Sequence, residues 1–329
     1  MTLEPLPQTT LSTSLSRPEV HAQRIATAIE SALAPSTRKA YESALARLTR
    51  WARREGFTDP TSSVCLAAYI TDLEATGRSA STVGQILAAV SRHAFERGNP
   101  DPTDDPVLVQ VVEGVRRRIG RQHTVERAHA LTTPEVVRIL AAIDQETVAG
   151  RRDACMIATF LYAGALRRSE VGALRRSDVV AGADGLRVTI RSSKGDQHSA
   201  GQVIGIARGK HTATDPVRLL TRWLAVRGKI GPDAALFPRV TRTGVPTGAG
   251  LTGHAVGRIM KERAAVAGLD AEKISGHSGR RGHVSTAVLA GSDLALVAKQ
   301  TRHKALSTLM LYADELRVLE KTTSADLGL

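Results

Sequence analysis

Arg167, Lys194, His277, Arg280, His303 and Tyr312 all fall in the second half of a 329-residue chain, and their side chains are of the types that could together break and remake a phosphodiester. Direct displacement at phosphorus needs a nucleophile, cations for the charge growing on the non-bridging oxygens, and a proton donor for the leaving oxygen. Arginine suits the second task, because its planar fork grips two oxygens and stays charged. A phenol is a poor nucleophile at neutral pH, so Tyr312 would need cations to lower its pKa and a base to take its proton.

Each segment also has an ordinary reading. Arg167 lies in GALRRSEV, where Glu170 shares its helical face and could orient it; an Arg/Glu pair at this spacing is usually a surface ion pair. In SGHSGRRGH, His277 and Arg280 are three apart near a helix start, whose partial positive charge can receive a phosphate; the ordinary alternative is a capping region with basic residues. TRHKALSTLMLY sets His303 nine residues before Tyr312, with Leu306, Leu309, Met310 and Leu311 as an apolar stripe between them. A tyrosine ending such a run is normally core, but this one, among only four in the chain, is followed by Asp314 and Glu315. Lys194 sits in the polar loop SSKGDQHSAG between two β-rich segments, Leu186–Arg191 and Gln202–Ala207, which predicts a hairpin with the lysine near its tip; Lys210 is a second candidate.

Composition narrows the partner. The formal charge is +13, and residues 121–329 carry 31 Lys/Arg against 19 Asp/Glu, so nearly all the excess is in the second half. A basic field attracts polyanions, of which nucleic acid is the commonest. Cys65 and Cys155 are the only cysteines, with no CxxC or Cys/His cluster, so neither a disulfide framework nor a metal site is expected. The N-terminus does not read as a signal peptide, and no run of about 18 apolar residues could span a bilayer. The expectation is a soluble protein of the cytoplasm, associated with the nucleoid, with no membrane partner and no cofactor.

The length predicts two domains. Residues 1–34 read as a Pro/Ser/Thr-rich flexible lead followed by a short helix from about Pro18. Residues 35–119 read as a helical domain: STRKAYESALARLTRWARREGF places Tyr41, Leu45, Leu48 and Trp51 at helical spacing behind a Ser/Thr cap, and helices follow over Val64–Thr76, Ser79–Arg97 and Val107–Ile119. Residues 120–131 read as a basic linker, within the stretch Arg116–His129 that lacks apolar periodicity. It is either a solvated charged helix end or a strap on a phosphate backbone. Candidate DNA contacts are Arg38 and Lys39 on the outer face of the first helix, with Arg116, Arg117, Arg118 and Arg121. Residues 132–329 form the second domain. It opens on a capped helix after Thr132 and continues with helices near Arg151–Ala163 and Arg168–Leu174, the hairpin, and helices from Pro216, Gly253, His277, Leu294 and Ser307. The fold class is therefore mainly α with a small β-sheet.

Taken in order, GALRRSEV, RSSKGD, HSGR and HKALSTLMLY resemble the motifs of the tyrosine recombinases, also called phage integrases: an arginine in L-R-x-S-E, a hairpin lysine, H-x-x-R, and a His or Trp nine residues before a Tyr. The combination is far more specific than any part. Ser36–Gly120 is similar to the helical core-binding (SAM-like) domain that precedes such catalytic domains, and STRKAYESALARLTRWA and SGHSGR resemble the branch containing Cre recombinase. Three positions depart from the family pattern: Gly279 replaces a hydrophobic residue, Arg281 replaces the usual His or Lys, and Arg302 stands where glycine often precedes the second histidine.

The resemblance implies a C-shaped clamp of two domains on duplex DNA. It implies that Tyr312 attacks the scissile phosphate to give a 3′-phosphotyrosine and a free 5′-hydroxyl. Arg167 and Arg280 would hold the non-bridging oxygens with His303, Lys194 would protonate the leaving 5′-oxygen, His277 would serve as acid/base, and Glu170 would support the site. Strand exchange through a Holliday junction by a homotetramer bridging two inverted-repeat sites is the implied activity. The alternatives are a type IB topoisomerase-like relaxing enzyme, a telomere resolvase, or a non-catalytic DNA-binding protein.

Overall fold

The protein is described from a computed structural model covering residues 32–122, 128–191, 201–303 and 309–310, with 21, 22, 24, 27 and 28 ahead of them. Lys194, Tyr312, most of the N-terminal lead and the C-terminal tail lie outside the described residues. The chain divides into two compact units, Met1–Glu126 and Arg127–Leu329.

The described regular elements of the first unit are helical: α1 (Pro35–Arg54), α2 (Ser63–Ala75), α3 (Ala80–Glu96) and α4 (Pro106–Gln122), with a 3-10 turn at Pro102–Asp104. α1 begins on Pro35 without a side-chain cap, one residue ahead of the serine expected to cap it; proline's missing N–H costs nothing in a first turn. Ser62 and Ser79 cap α2 and α3, each accepting a backbone N–H at 3.3 Å. Leu48, Leu66, Ile70, Ile86 and Val115 fill the core, and Trp51 rests on Tyr69 with ring centroids 4.9 Å apart.

The basic stretch differs from its expected linker form. It is helical through Gln122, because Leu108, Val112, Val115 and Ile119 continue a buried stripe at helical spacing beneath the arginines. Arg118 reaches across to α2 and grips both oxygens of Glu74, at 2.5 and 2.7 Å. At the other end, His129 and Leu131 already belong to the second unit, donating backbone N–H bonds to Lys273 O at 2.8 Å and Ser278 O at 3.2 Å.

The second unit opens on α5 (Thr133–Ala142), held by a capping box between Thr132 and Glu135. α6 (Val148–Ala154) runs on as a π-helix, Cys155–Ala163, where one α-helix was expected. Then come α7 (Arg168–Ala173), β1 (Val179–Ala181), β2 (Gly185–Ile190), β3 (Gln202–Ala207), α8 (Pro216–Arg227), β4 (Pro238–Val240), β5 (Pro246–Gly250), α9 (Gly253–Val266), α10 (Ser278–Leu289) and α11 (Leu294–Thr301). β1, β2 and β3 form an antiparallel sheet in that order, with Leu186 opposite Ile206 and Val188 opposite Ile204, all four buried. β1 and the two-stranded β4–β5 ribbon are short elements that the sequence reading passed over. Phe160, Trp223 and Phe237 pack at the centre, and Trp223 donates its indole N–H to Leu236 O at 3.0 Å.

The π-helix sets the entry to the site. Its wide turn ends with Gly164 N donating to Thr159 O at 2.8 Å and Leu166 N to Phe160 O at 2.9 Å, while Ala165 takes a left-handed backbone (φ 50°). That reversal, two residues before Arg167, turns the still-buried chain from the π-helix toward α7. The helix expected from Ser307 falls mostly outside the described residues; Leu309 is fully buried against Val284, Val288 and Val297.

Candidate active site

Arg167 occupies the N-cap of α7, and Glu170 sits at the third position of that helix. The Glu170 carboxylate accepts the Arg167 backbone N–H at 2.8 Å and its Nη1 at 2.7 Å. This is no surface pair: the Glu170 side chain is 2% exposed and that of Arg167 21%. The other arginine of the doublet, Arg168, points elsewhere. Its stem lies along Gly276, where an added Cβ would stand 2.6 Å from Arg168 Cδ.

Arg280 lies in the first turn of α10 and is 6% exposed. Its Nη1 donates to Ala165 O at 2.8 Å and its Nη2 to Thr301 O, so it bridges the turn before Arg167 and the end of α11. Arg281 turns away to Ala128 O. Gly279 explains one departure from the family pattern: a Cβ there would meet Leu161 O at 2.8 Å, so α10 approaches the π-helix too closely for a larger residue.

His303 follows the end of α11, with its Nδ1 2.6 Å from the buried Thr301 hydroxyl. Burial first, then the positive charges of Arg280, Arg167 and Arg302, push its pKa down to about 4. The imidazole is therefore neutral near pH 7, and the three guanidiniums acting on it mark the convergence of α7, α10 and the end of α11. His277 is the exposed N-cap residue of α10, one turn from buried Arg280.

Sequence reasoning noted Arg302 only as a departure from pattern. Its Nη2 donates to Glu170 Oε2 at 2.6 Å, and the side chain is 4% exposed. Glu170 is thus shared by Arg167 and Arg302, residues from opposite ends of the unit. Of the remaining candidates, Lys194 and Tyr312 lie outside the described residues, and Lys210 is exposed three residues past β3 rather than in the hairpin. Lys39, Arg116, Arg117 and Arg121 are exposed and Arg38 half-buried, whereas Arg118 is held by Glu74. Among the described residues there is no group of three His, Cys, Asp or Glu side chains arranged to hold a metal ion, and no helix long and apolar enough to cross a membrane.

Residues 129–317 match the family model described as the phage integrase family. The chain is 31% identical over 294 residues to an integrase/recombinase, a xerD homolog, of Selenomonas ruminantium, covering 87% of this chain and 84% of that protein. It is 28% identical over 289 residues to the tyrosine recombinase XerD of Caulobacter vibrioides, covering 87% and 88%. Among solved structures, a lambda integrase dimer bound to a core site is similar with TM-score 0.57 at 18% identity, over 92% of this chain and 97% of that one. The Tn1549 transposon integrase in complex with transposon right end DNA gives 0.58 at 16% identity, over 89% and 93%. The match to the family model extends over more than half of the sequence and takes in the convergence of Arg167, Glu170, Arg280 and His303, and on these grounds the chain belongs to the phage integrase family, the tyrosine recombinases.

Proposed function

We propose that this recombinase cleaves and rejoins double-stranded DNA through a covalent phosphotyrosine on Tyr312. The Tyr312 oxygen attacks the scissile phosphorus, the bond to the 5′-oxygen breaks, and Lys194 delivers a proton to that oxygen. The products are a 3′-phosphotyrosine and a free 5′-hydroxyl. Arg167 and Arg280 hold the two non-bridging oxygens, His303 adds a hydrogen bond, and His277 exchanges the tyrosine proton. Because the ester energy is kept in the phosphotyrosine, a 5′-hydroxyl from a second duplex can reverse the step and complete an exchange.

The observation that supports this reading best is the electrostatics around His303. Three guanidiniums bear on one neutral imidazole, and the Glu170 carboxylate is hydrogen-bonded to two of them, Arg167 and Arg302. A phosphodiester, which goes on to gain charge in the transition state, is an anion that converging arginine forks fit. The fold likeness to DNA-bound integrases supports a two-domain clamp on duplex DNA. Exchange through a Holliday junction, within a homotetramer spanning two inverted-repeat sites, completes the proposal. The arms are about a dozen base pairs each, from a clamp that covers roughly one duplex turn.

The test is covalent capture. A library of nicked duplexes with randomised inverted repeats is incubated with the protein and stripped with SDS, and retained DNA is sequenced. Recovery of one related set of sites, lost in Tyr312→Phe, is the expected result. DNA binding without an SDS-resistant adduct overturns the proposal and leaves a passive binding protein; adducts on DNA of any sequence point instead to a relaxing enzyme.

A further inference from the structure

Arg302 breaks a backbone rule. It closes α11 with φ 57° and ψ 46°, in the left-handed region, where a side chain costs about 1 kcal/mol relative to glycine. The residue is neither small nor solvent-facing: its side chain is 4% exposed, and Nε is buried with no hydrogen-bond partner among the described residues. Burying a guanidinium on a strained backbone is a double cost, so the group must act where it ends.

It ends on Glu170. That carboxylate already holds Arg167 twice, through Nη1 at Oε1 and through the backbone N–H at Oε2. Arg302 takes Oε2 as well, at 2.6 Å, and its Nη1 donates to Gln300 O at 3.2 Å. The carboxylate is therefore fixed at both oxygens, and Arg167 keeps part of its fork exposed beside a partner that cannot rotate. The residue after Arg302 is His303, so the same contact ties the segment bearing the imidazole to the helix bearing Arg167.

We propose that Arg302 is a positioning residue for the cleavage reaction, which acts through Glu170 to aim the Arg167 guanidinium and to brace the His303 segment against α7. The inference rests on the recombinase reading above and adds to it a residue that does not touch DNA. Lysine is a poor substitute, since an ammonium is a point charge without the planar fork.

The experiment compares wild type, Arg302→Gly, Arg302→Lys, Glu170→Gln and the Arg302→Gly/Glu170→Gln double variant, using a nicked duplex taken from the captured sites. DNA affinity is measured separately from the rate of adduct formation at saturating protein, and folding is followed by thermal unfolding. Glycine relieves the left-handed strain, which favours a folded variant; should it still fail to fold, Arg302→Lys alone and with Glu170→Gln gives the same comparison. The expected result is a roughly 10- to 100-fold slower adduct rate for Arg302→Gly at unchanged DNA affinity, because misplaced catalytic groups cost rate rather than binding. Arg302→Lys recovers only part of the rate, and the double variant is no slower than Glu170→Gln alone. A wild-type rate in Arg302→Gly, full rescue by lysine, a parallel loss of affinity, or additive losses in the double variant overturns the inference. If wild type itself forms no adduct, the recombinase reading fails instead.

Discussion

The Thr301 hydroxyl stands 2.6 Å from Nδ1 of His303 and 2.6 Å from the carbonyl oxygen of Val297, one turn back in α11. One hydroxyl proton cannot serve both, so its direction selects the histidine tautomer. When Thr301 donates to Nδ1, the ring carries its proton on Nε2 and can donate to a phosphate oxygen; when Thr301 donates to Val297, Nδ1 keeps the proton and Nε2 can only accept. A phosphate at the site favours the first arrangement. Thr301→Val removes the selector at nearly constant volume. Its adduct rate is expected to fall by about tenfold, the rate equivalent of one lost hydrogen bond of about 1.4 kcal/mol, while Thr301→Ser, which keeps the hydroxyl, stays close to wild type. Equal rates for valine and serine in single-turnover cleavage would show that the hydroxyl has no part in the reaction.

The histidine also leaves a signature in stability against pH. Its folded pKa lies near 4, below the ordinary value of 6.5, because burial and the charges of Arg280, Arg167 and Arg302 disfavour the imidazolium. The folded state thus binds fewer protons than the unfolded chain, and its contribution is fully present above pH 6.5 and is lost as the pH falls toward 4. His283 acts in the same direction, lowered by burial and by Arg280, so the wild-type slope combines at least these two groups. Replacing His303 with asparagine removes one of them. Chemical denaturation at intervals from pH 7 to pH 4 should then give a shallower loss of stability for His303→Asn than for wild type, and parallel curves would contradict the depressed pKa.

What could be read from the sequence was local. The cap at Thr132 with Glu135, the helical spacing of Leu45, Leu48 and Trp51, and the β-rich runs on either side of a polar loop all work within a few residues, and each element formed close to where those signals lie. The Arg167–Glu170 relation was legible for the same reason, as a spacing of three on one helix. Glu170 has its second cation 132 residues further on, and no pattern along the chain announces a partner at that distance. Arg116–Arg121 misled in a different way: the charges are dense, but Val112, Val115 and Ile119 keep the helical stripe going under them, and Arg118 is neutralised by Glu74 on another helix. The π-helix escaped because Cys155–Ala163 is almost entirely buried, so its apolar residues carry no periodicity from which to tell a wide helix from a regular one.

Gly279 tests how tightly Arg280 is held in place. A Cβ at Gly279 would lie 2.8 Å from Leu161 O and 3.0 Å from Leu161 C, both backbone atoms of the π-helix that cannot swing aside. Alanine must therefore push the first turn of α10 outward by a few tenths of an ångström, and the next residue is Arg280, whose Nη1 reaches Ala165 O at 2.8 Å. The expected outcome for Gly279→Ala is a loss of about 1–3 kcal/mol of stability, the usual range for an overpacked core, together with slower adduct formation. Gly84, inside α3 of the other unit, is the contrast: among the described residues an added Cβ meets only Arg116 Nη2, at 3.8 Å, an ordinary contact. Alanine there removes the helical penalty of glycine, so Gly84→Ala should stabilise by about 0.5–1 kcal/mol and leave cleavage unchanged. Denaturant melts and single-turnover cleavage of the two variants decide the point, since a Gly279→Ala protein as stable and as fast as wild type would mean that α10 has room to move without displacing its arginine.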